Sequence, residues 1–236
     1  MNSASIAPVQ QIMLPGSPRI GVVLRRSKRA RRMSLRVSRL KGLVTLSLPI
    51  SCPMAQAEKF VFEKESWIRA HLADLPPTAE AMLGGTFLYQ GQLLTICPGQ
   101  GWQVRAIGEE LLVPGPEAMV GARVKAFLKL QARMRLQEAT ERYAVALGKP
   151  YGRLTLRDTT SRWGSCSTQG NINYSWRLIM APPEVLNYVA AHEVAHLAEM
   201  NHSARFWALV ERLFPNHAEQ RAWLREHGED LHRYLF

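Results

Sequence analysis

Ala191-His192-Glu193-Val194-Ala195-His196-Leu197-Ala198-Glu199-Met200-Asn201-His202-Ser203 is the stretch on which the fold turns. Residues four apart on a helix lie one above the other, so His192 and His196 can aim two imidazoles at one point. A tetrahedral zinc ion asks for such a pair. Glu193 follows the first histidine, where a carboxylate reaches a water in the open metal position. His202 enters from beyond the helix end and completes a three-histidine site. Tyr188, Val189, Ala190, Val194 and Leu197 make the flanks apolar on nearly every side, so the helix should be buried. Two histidines and a glutamate in such a place need partners, and a metal supplies one. A lone histidine is more often a core residue bonded to backbone, but the paired spacing with its adjacent Glu favours the metal.

The chain of 236 residues is long enough for one large domain or two modest ones. Its net charge of +11 is unevenly placed: residues 1–57 hold ten Lys/Arg and no acid, so the rest sums to +1. The densest run is Arg25-Arg26-Ser27-Lys28-Arg29-Ala30-Arg31-Arg32. Arg25, Arg26, Lys28, Arg29, Arg31 and Arg32 are candidate contacts for nucleic acid, phosphate-bearing ligands or an anionic surface. No aromatic residue interleaves the run to stack on bases, which favours a solvated basic hairpin. Cys52, Cys97 and Cys166 are few, odd in number and widely spaced, which speaks against a disulfide framework and for a reducing cytoplasm. No signal-peptide pattern and no bilayer-long apolar run is present, so a soluble cytoplasmic protein is expected.

Residues 1–18, small and polar with three prolines, read as a loose tail. A β-rich, basic lobe should follow over 19–115. It begins with a strand at 20–24 and continues as a hairpin of 33–37 with 44–48 around Lys41-Gly42. A helix over 54–72 follows, with Phe60, Trp67, Ile68 and Leu72 inward and Pro76-Pro77 as its stop. Two more hairpins are expected, 86–89 with 93–96 and 103–106 with 110–113. Pro114-Gly115-Pro116 marks a boundary, and 116–236 forms the hydrolase domain. A long helix spans 117–147, with Val124, Leu128, Met134 and Leu136 among its inward positions, and stops at Gly148. A strand at 154–158 precedes a strand over 171–178 with one apolar and one polar face. The metal helix, opened by Pro182 and Glu184, should end around Glu199–Asn201 with Asn201 left-handed. Ser203 caps the next helix, and Asn216 with Glu219 resembles a capping box for the last.

The spacing of the three histidines is that of metzincin proteases, which carry Gly where Glu199 stands here. The path to His202 must therefore differ, and Glu211, His217 and His227 are rival third ligands. Arg162-Trp163-Gly164-Ser165-Cys166-Ser167, the strand through 171–178, Pro182, His192-Glu193-x-x-His196 and Asn201-His202-Ser203-x-x-Phe206-Trp207 together resemble the YgjP-like metallopeptidase family, related to the SprT-like and WLM peptidases. The resemblance implies an α+β, zincin-like C-terminal domain with a β-rich N-terminal extension. It carries zinc ligation, one ion per chain, onto His192, His196 and His202, and the general base onto Glu193.

The expected activity is a zinc-dependent hydrolase, a metallopeptidase in which Glu193 activates a zinc-bound water to cleave an amide of a peptide or protein. Arg177, on the polar face of its strand, is the candidate oxyanion donor, with Tyr174 and Arg162 as others by type. Each metal histidine needs an acceptor on its other ring nitrogen, and Glu199, Glu211 and Asp158 are candidates. Cys166 and Trp163 read as packing residues, and His217, His227 and His232 as surface residues. Two alternatives stand beside this: a metal-dependent nucleotide pyrophosphatase or phosphohydrolase, and a nucleic-acid-tethered protease or adaptor using the basic lobe.

Overall fold

The computed structural model describes residues 10–38, 42–75 and 78–236, and within them the chain forms two compact units, divided between Pro77 and Thr78. The first nine residues of the expected tail, Lys41 of the first hairpin turn and the stop at Pro76-Pro77 lie outside the described residues.

In the first unit, strands β1 (Gln11–Leu14), β2 (Ile20–Ser27), β3 (Ser34–Val37) and β4 (Val44–Pro49) form a sheet of order β1-β2-β4-β3. Residues 11–14, expected in a loose tail, are thus a strand: Ile12 and Leu14 are buried, and β1 pairs antiparallel with β2. Alternation in β4 sends Val44, Leu46 and Leu48 into a core with Val22, Ala57, Val61 and Ile68. The helix expected over 54–72 is two: α1 (Met54–Glu63) and α2 (Glu65–Ala73), parted at Lys64. Ile68 is buried as expected, whereas Trp67 is exposed.

The second unit opens with the short β5 (Ala79–Glu80), then β6 (Thr86–Tyr89), β7 (Gln92–Pro98), β8 (Arg105–Ile107) and β9 (Glu110–Val113). The last four form a sheet of order β6-β7-β9-β8, antiparallel at both flanks and parallel at the centre. The first sheet has the same order and the same directions, and each sheet leads into a helix. The topology repeats where the sequence shows no internal repeat.

The boundary expected at Pro114–Pro116 falls inside this unit. Phe87, Ile96, Leu111 and Val113 share one core with Val120, Val124 and Leu128 of α3 (Val120–Leu147), so the prolines turn the chain without ending the core. Gly148 closes α3 in the left-handed conformation, as expected. Met134, expected inward, is exposed, and Ala132 and Leu136 carry that part of the buried stripe.

Next come β10 (Leu154–Arg157), β11 (Gly164–Cys166) and β12 (Ile172–Ser175), a sheet of order β10-β12-β11. The strand expected over 171–178 stops at Ser175, and residues 176–180 form a buried 3-10 turn. β12 is central, and β10 and β11 are its two edges. α4 (Pro183–Ala195) follows, then α5 (Ala204–Leu213), α6 (His217–His227) and β13 (Tyr234–Leu235), which pairs with β5. The architecture is α+β, as expected. Among the described residues no helix is long and apolar enough to cross a membrane.

Candidate metal centre

α4 is buried over most of its length, including Tyr188, Val189, Ala190, Ala191, Val194 and Ala195. It ends at Ala195, earlier than expected. Leu197 and Ala198 donate to the carbonyls of Val194 and Ala195, which tightens the final turn. Among the described residues, positive φ outside glycine occurs only at Gln90 and Asn216, so neither Glu199 nor Asn201 is left-handed. The early, tightened exit makes a glycine at position 199 unnecessary. Ser203 accepts a bond from the Phe206 amide at 3.3 Å and caps α5, as expected. Asn216 precedes α6 but is left-handed and makes no side-chain cap.

This path brings His192, His196 and His202 together: their ligand atoms lie within 4.8 Å of one another. The Nε2 atoms of His192 and His202 are 3.1 Å apart. Two lone pairs cannot face each other at that distance unless a proton or a cation lies between them. Tetrahedral ligands at zinc distances would stand about 3.3 Å apart. Phe206, fully buried, packs beneath all three, its ring centroid 4.4–4.9 Å from theirs.

The His196 Nδ1–H donates to the Glu199 backbone carbonyl at 3.0 Å, which leaves Nε2 as the lone-pair nitrogen. The expected acceptors thus give way to a main-chain oxygen: Asp158 is taken by Arg177, and Glu211 by His217 at 3.3 Å. Nδ1 of His192 is buried with no hydrogen-bond partner among the described residues. Burial, then the neighbouring His196 and His202, push the His192 imidazole down to about 3, so it stays neutral as a ligand must.

Glu193 is buried, and its Oε2 has no hydrogen-bond partner among the described residues. Burial pushes its carboxyl up to about 8, against the opposing charge of Arg162. The carboxyl group lies over Gly164 of β11: a Cβ at that position would stand 2.6 Å from Cγ and 2.7 Å from Cδ of Glu193. The orphaned carboxylate oxygen, the neutral imidazoles and the converging Nε2 atoms all suit a divalent ion. Burial and the Glu193 charge push the Cys166 thiol up to about 11, so it stays protonated.

Arg177 is not at this centre as the oxyanion donor expected from its strand. It sits in the 3-10 turn after β12, nearly buried, its Nε and Nη2 donating to Asp158 at 2.7 and 3.4 Å. Its Nη1 donates to the carbonyls of Leu231 and Tyr234. The guanidinium holds the C-terminal segment, with four of its five N–H donors engaged there and on Asp158. His232, expected at the surface, is buried against Trp163. His217 is stacked between Tyr188 and Trp207. In the first unit, Arg25, Lys28, Arg29, Arg31 and Arg32 are exposed, but Arg26 Nη1 donates to the carbonyls of Ile50 and Cys52 and braces the turn after β4.

Sequence reasoning missed Gly164 as part of the site. Its signal was a glycine beside an edge strand, next to Trp163 in the Arg162–Ser167 stretch.

Three convergent imidazoles at the end of a buried helix, with a carboxylate one residue past the first, define a centre of the metal-dependent hydrolase kind. The chain belongs to the YgjP-like family, matching the description "YgjP-like, metallopeptidase domain" over residues 31–227. It is a peptidase-type hydrolase with the zincin-like α+β fold expected, and the family implies a divalent metal. The chain is also similar to the crystal structure of the metallopeptidase zymogen of Pyrococcus abyssi abylysin. That likeness is 24% identical with a TM-score of 0.35, over 38% of this chain and 93% of that one. No curated protein matches.

Proposed function

We propose that this protein cleaves amide bonds of extended peptides, with one zinc ion held by His192, His196 and His202 and with Glu193 as general base. The observation that carries the reading is the pairing of three converging imidazoles with a buried, unpartnered carboxylate oxygen. When bound, the ion supplies Lewis acidity and makes a water acidic enough to react at neutral pH. Glu193 Oε2 takes a proton from the attacking water and hands it to the leaving amine nitrogen. In its ionised form a carboxyl raised by burial is a stronger base than an exposed one, and the charge of Arg162 favours that form.

The peptide is held on the open edge of β11. Residues 163, 165 and 167 pair inward: the Ser175 amide donates to the Trp163 carbonyl and the Ser167 amide to the Asn171 carbonyl. In an antiparallel ladder the intervening residues turn their N–H and C=O groups outward. Gly164 and Cys166 therefore offer main-chain groups to an added strand, beside the Glu193 carboxylate.

Metal analysis with kinetics tests the reading. Wild-type protein should carry one zinc per chain and cleave a neutral peptide. Glu193→Gln should keep the zinc and lose cleavage by about 10²–10⁴-fold. Loss of His202 without loss of zinc would remove the three-histidine site.

A second reading concerns the first unit alone. We propose that exposed Arg25, Lys28, Arg29, Arg31 and Arg32 contact polyanions, since they share one strand end and turn and residues 1–57 carry no acid. Neutralising them should abolish salt-dependent nucleic-acid binding. Binding that survives would end that reading.

A further inference from the structure

The β10-β12-β11 sheet has two unlike faces. Its register and alternation put Leu154, Leu156, Ile172, Tyr174 and Gly164 on the face turned to Glu193 and the core. The other face carries Arg157, Ser165, Asn173 and Ser175. The connection from β10 to β11 passes over it and brings Thr159 and Arg162 across. Between them lies a cleft of about 350 Å³.

Two features of this cleft ask for an anion. Arg157 and Arg162 both line it, and among the described residues neither guanidinium has an ion pair or side-chain hydrogen bond, although the Arg162 charge also bears on the Glu193 carboxyl. The one acid of the connection, Asp158, is committed to Arg177. Ser175, at 1% exposure, also lines it, and its Oγ is buried with no hydrogen-bond partner among the described residues. A buried hydroxyl without a partner is costly, and a ligand oxygen would satisfy it.

We propose that this cleft is a specificity subsite for an acidic side chain of the peptide substrate, gripped by Arg157 and Arg162. The inference rests on the peptidase reading above. A strand added to the open edge of β11 sends alternate side chains to opposite faces. Those on the outer face stand beside Ser165, which borders the cleft. A carboxylate arriving there meets two guanidinium forks, whose planar donors match it bidentately. The expected substrates are peptides with Glu or Asp at alternating positions around the scissile bond.

The test uses full-length zinc-loaded Glu193→Gln protein and calorimetric titration with three extended peptides: Glu at odd positions, Glu at even positions, and Gln throughout. One alternating register should bind more tightly than the Gln peptide, on the order of fivefold at most for exposed arginines. The preference should shrink as salt is raised. It should vanish when Arg157→Gln and Arg162→Gln are added, with thermal melts confirming that this variant is folded. Equal binding of all three peptides, binding of none, or a preference that survives the double variant overturns the proposal. So does tighter arginine-dependent binding of inorganic phosphate or a nucleoside triphosphate, which would give the cleft to phosphate. Cleavage of a neutral peptide by wild-type protein, lost in Glu193→Gln, reports on the peptidase reading separately. It can fail while the acid preference stands, or stand while the preference fails.

Discussion

Glu193 occupies the space that a side chain at position 164 would fill. Its Cγ and Cδ lie 2.6 and 2.7 Å from where a Cβ on Gly164 would stand. The edge strand β11 and the helix α4 thus meet through the absence of one methyl group. Gly164→Ala should push the carboxylate aside while leaving the three histidines alone. Cleavage should fall by about 10²-fold or more, the scale of a lost general base, with zinc content unchanged. Kinetics and metal analysis on the same preparation check this. Wild-type activity in that variant would mean that Glu193 is not held where it works.

His202 depends on the start of α5. Ser203, next in the chain, caps that helix through the Phe206 amide, and Phe206 supports all three imidazoles. Ser203→Ala should cost about 1 kcal/mol of stability and weaken zinc binding as well. Chelation should lower the melting temperature of wild type, because zinc bound at a hundred times its dissociation constant adds about 2.7 kcal/mol. His202→Ala should melt at the same temperature with and without chelator. Calorimetric scans of the three proteins decide it.

The His-Glu-x-x-His helix was legible because its spacing and apolar flanks are local. Its end was not, since the bond from His196 to the Glu199 carbonyl follows from how the chain turns. The error over Arg177 has the same origin. Alternation placed it on a polar strand face, but the chain leaves the strand at Ser175, and the partner Asp158 lies 19 residues back. Pro114-Gly115-Pro116 looked like a linker because turn chemistry reads the same inside a core as between domains. Only Leu111 and Val113 packing with Val120 and Val124 tells them apart. The repeated strand order left no trace in sequence, because strand pairing is set by contacts between distant residues.

Arg177 should prove a stability residue. Removing Asp158 leaves a nearly buried guanidinium without its carboxylate, so Asp158→Asn should destabilise by about 2 kcal/mol, discounted from a fully buried pair because Asp158 is part-exposed. Burial raises the Asp158 carboxyl, but the hydrogen bonds and charge of Arg177 outweigh it and hold it below its ordinary value of 3.8. A carboxyl lowered in the fold contributes stability that is complete above its unfolded value and lost as pH falls through its folded one. Denaturant melts should show the wild-type advantage over Asp158→Asn at neutral pH, and its progressive loss as pH falls from about 4 through the lowered folded value. Zinc content should not change in either protein. An advantage that persists in strong acid would contradict this pairing.

The edge of β11 can be probed from the substrate side, where no variant can misfold. If Gly164 and Cys166 bond an added strand, their outward N–H groups need carbonyls, and their carbonyls need N–H donors, from the peptide. Replacing one substrate amide by an ester removes a single N–H and leaves the side chains alone. A net hydrogen bond is worth about 0.5–1.5 kcal/mol, so each productive replacement should weaken binding by roughly two- to tenfold. Because the ladder uses every second residue, the effect should alternate along the peptide: strong, absent, strong. A flat response would show that the substrate is held by its side chains alone, and the strand-addition geometry would have to be given up.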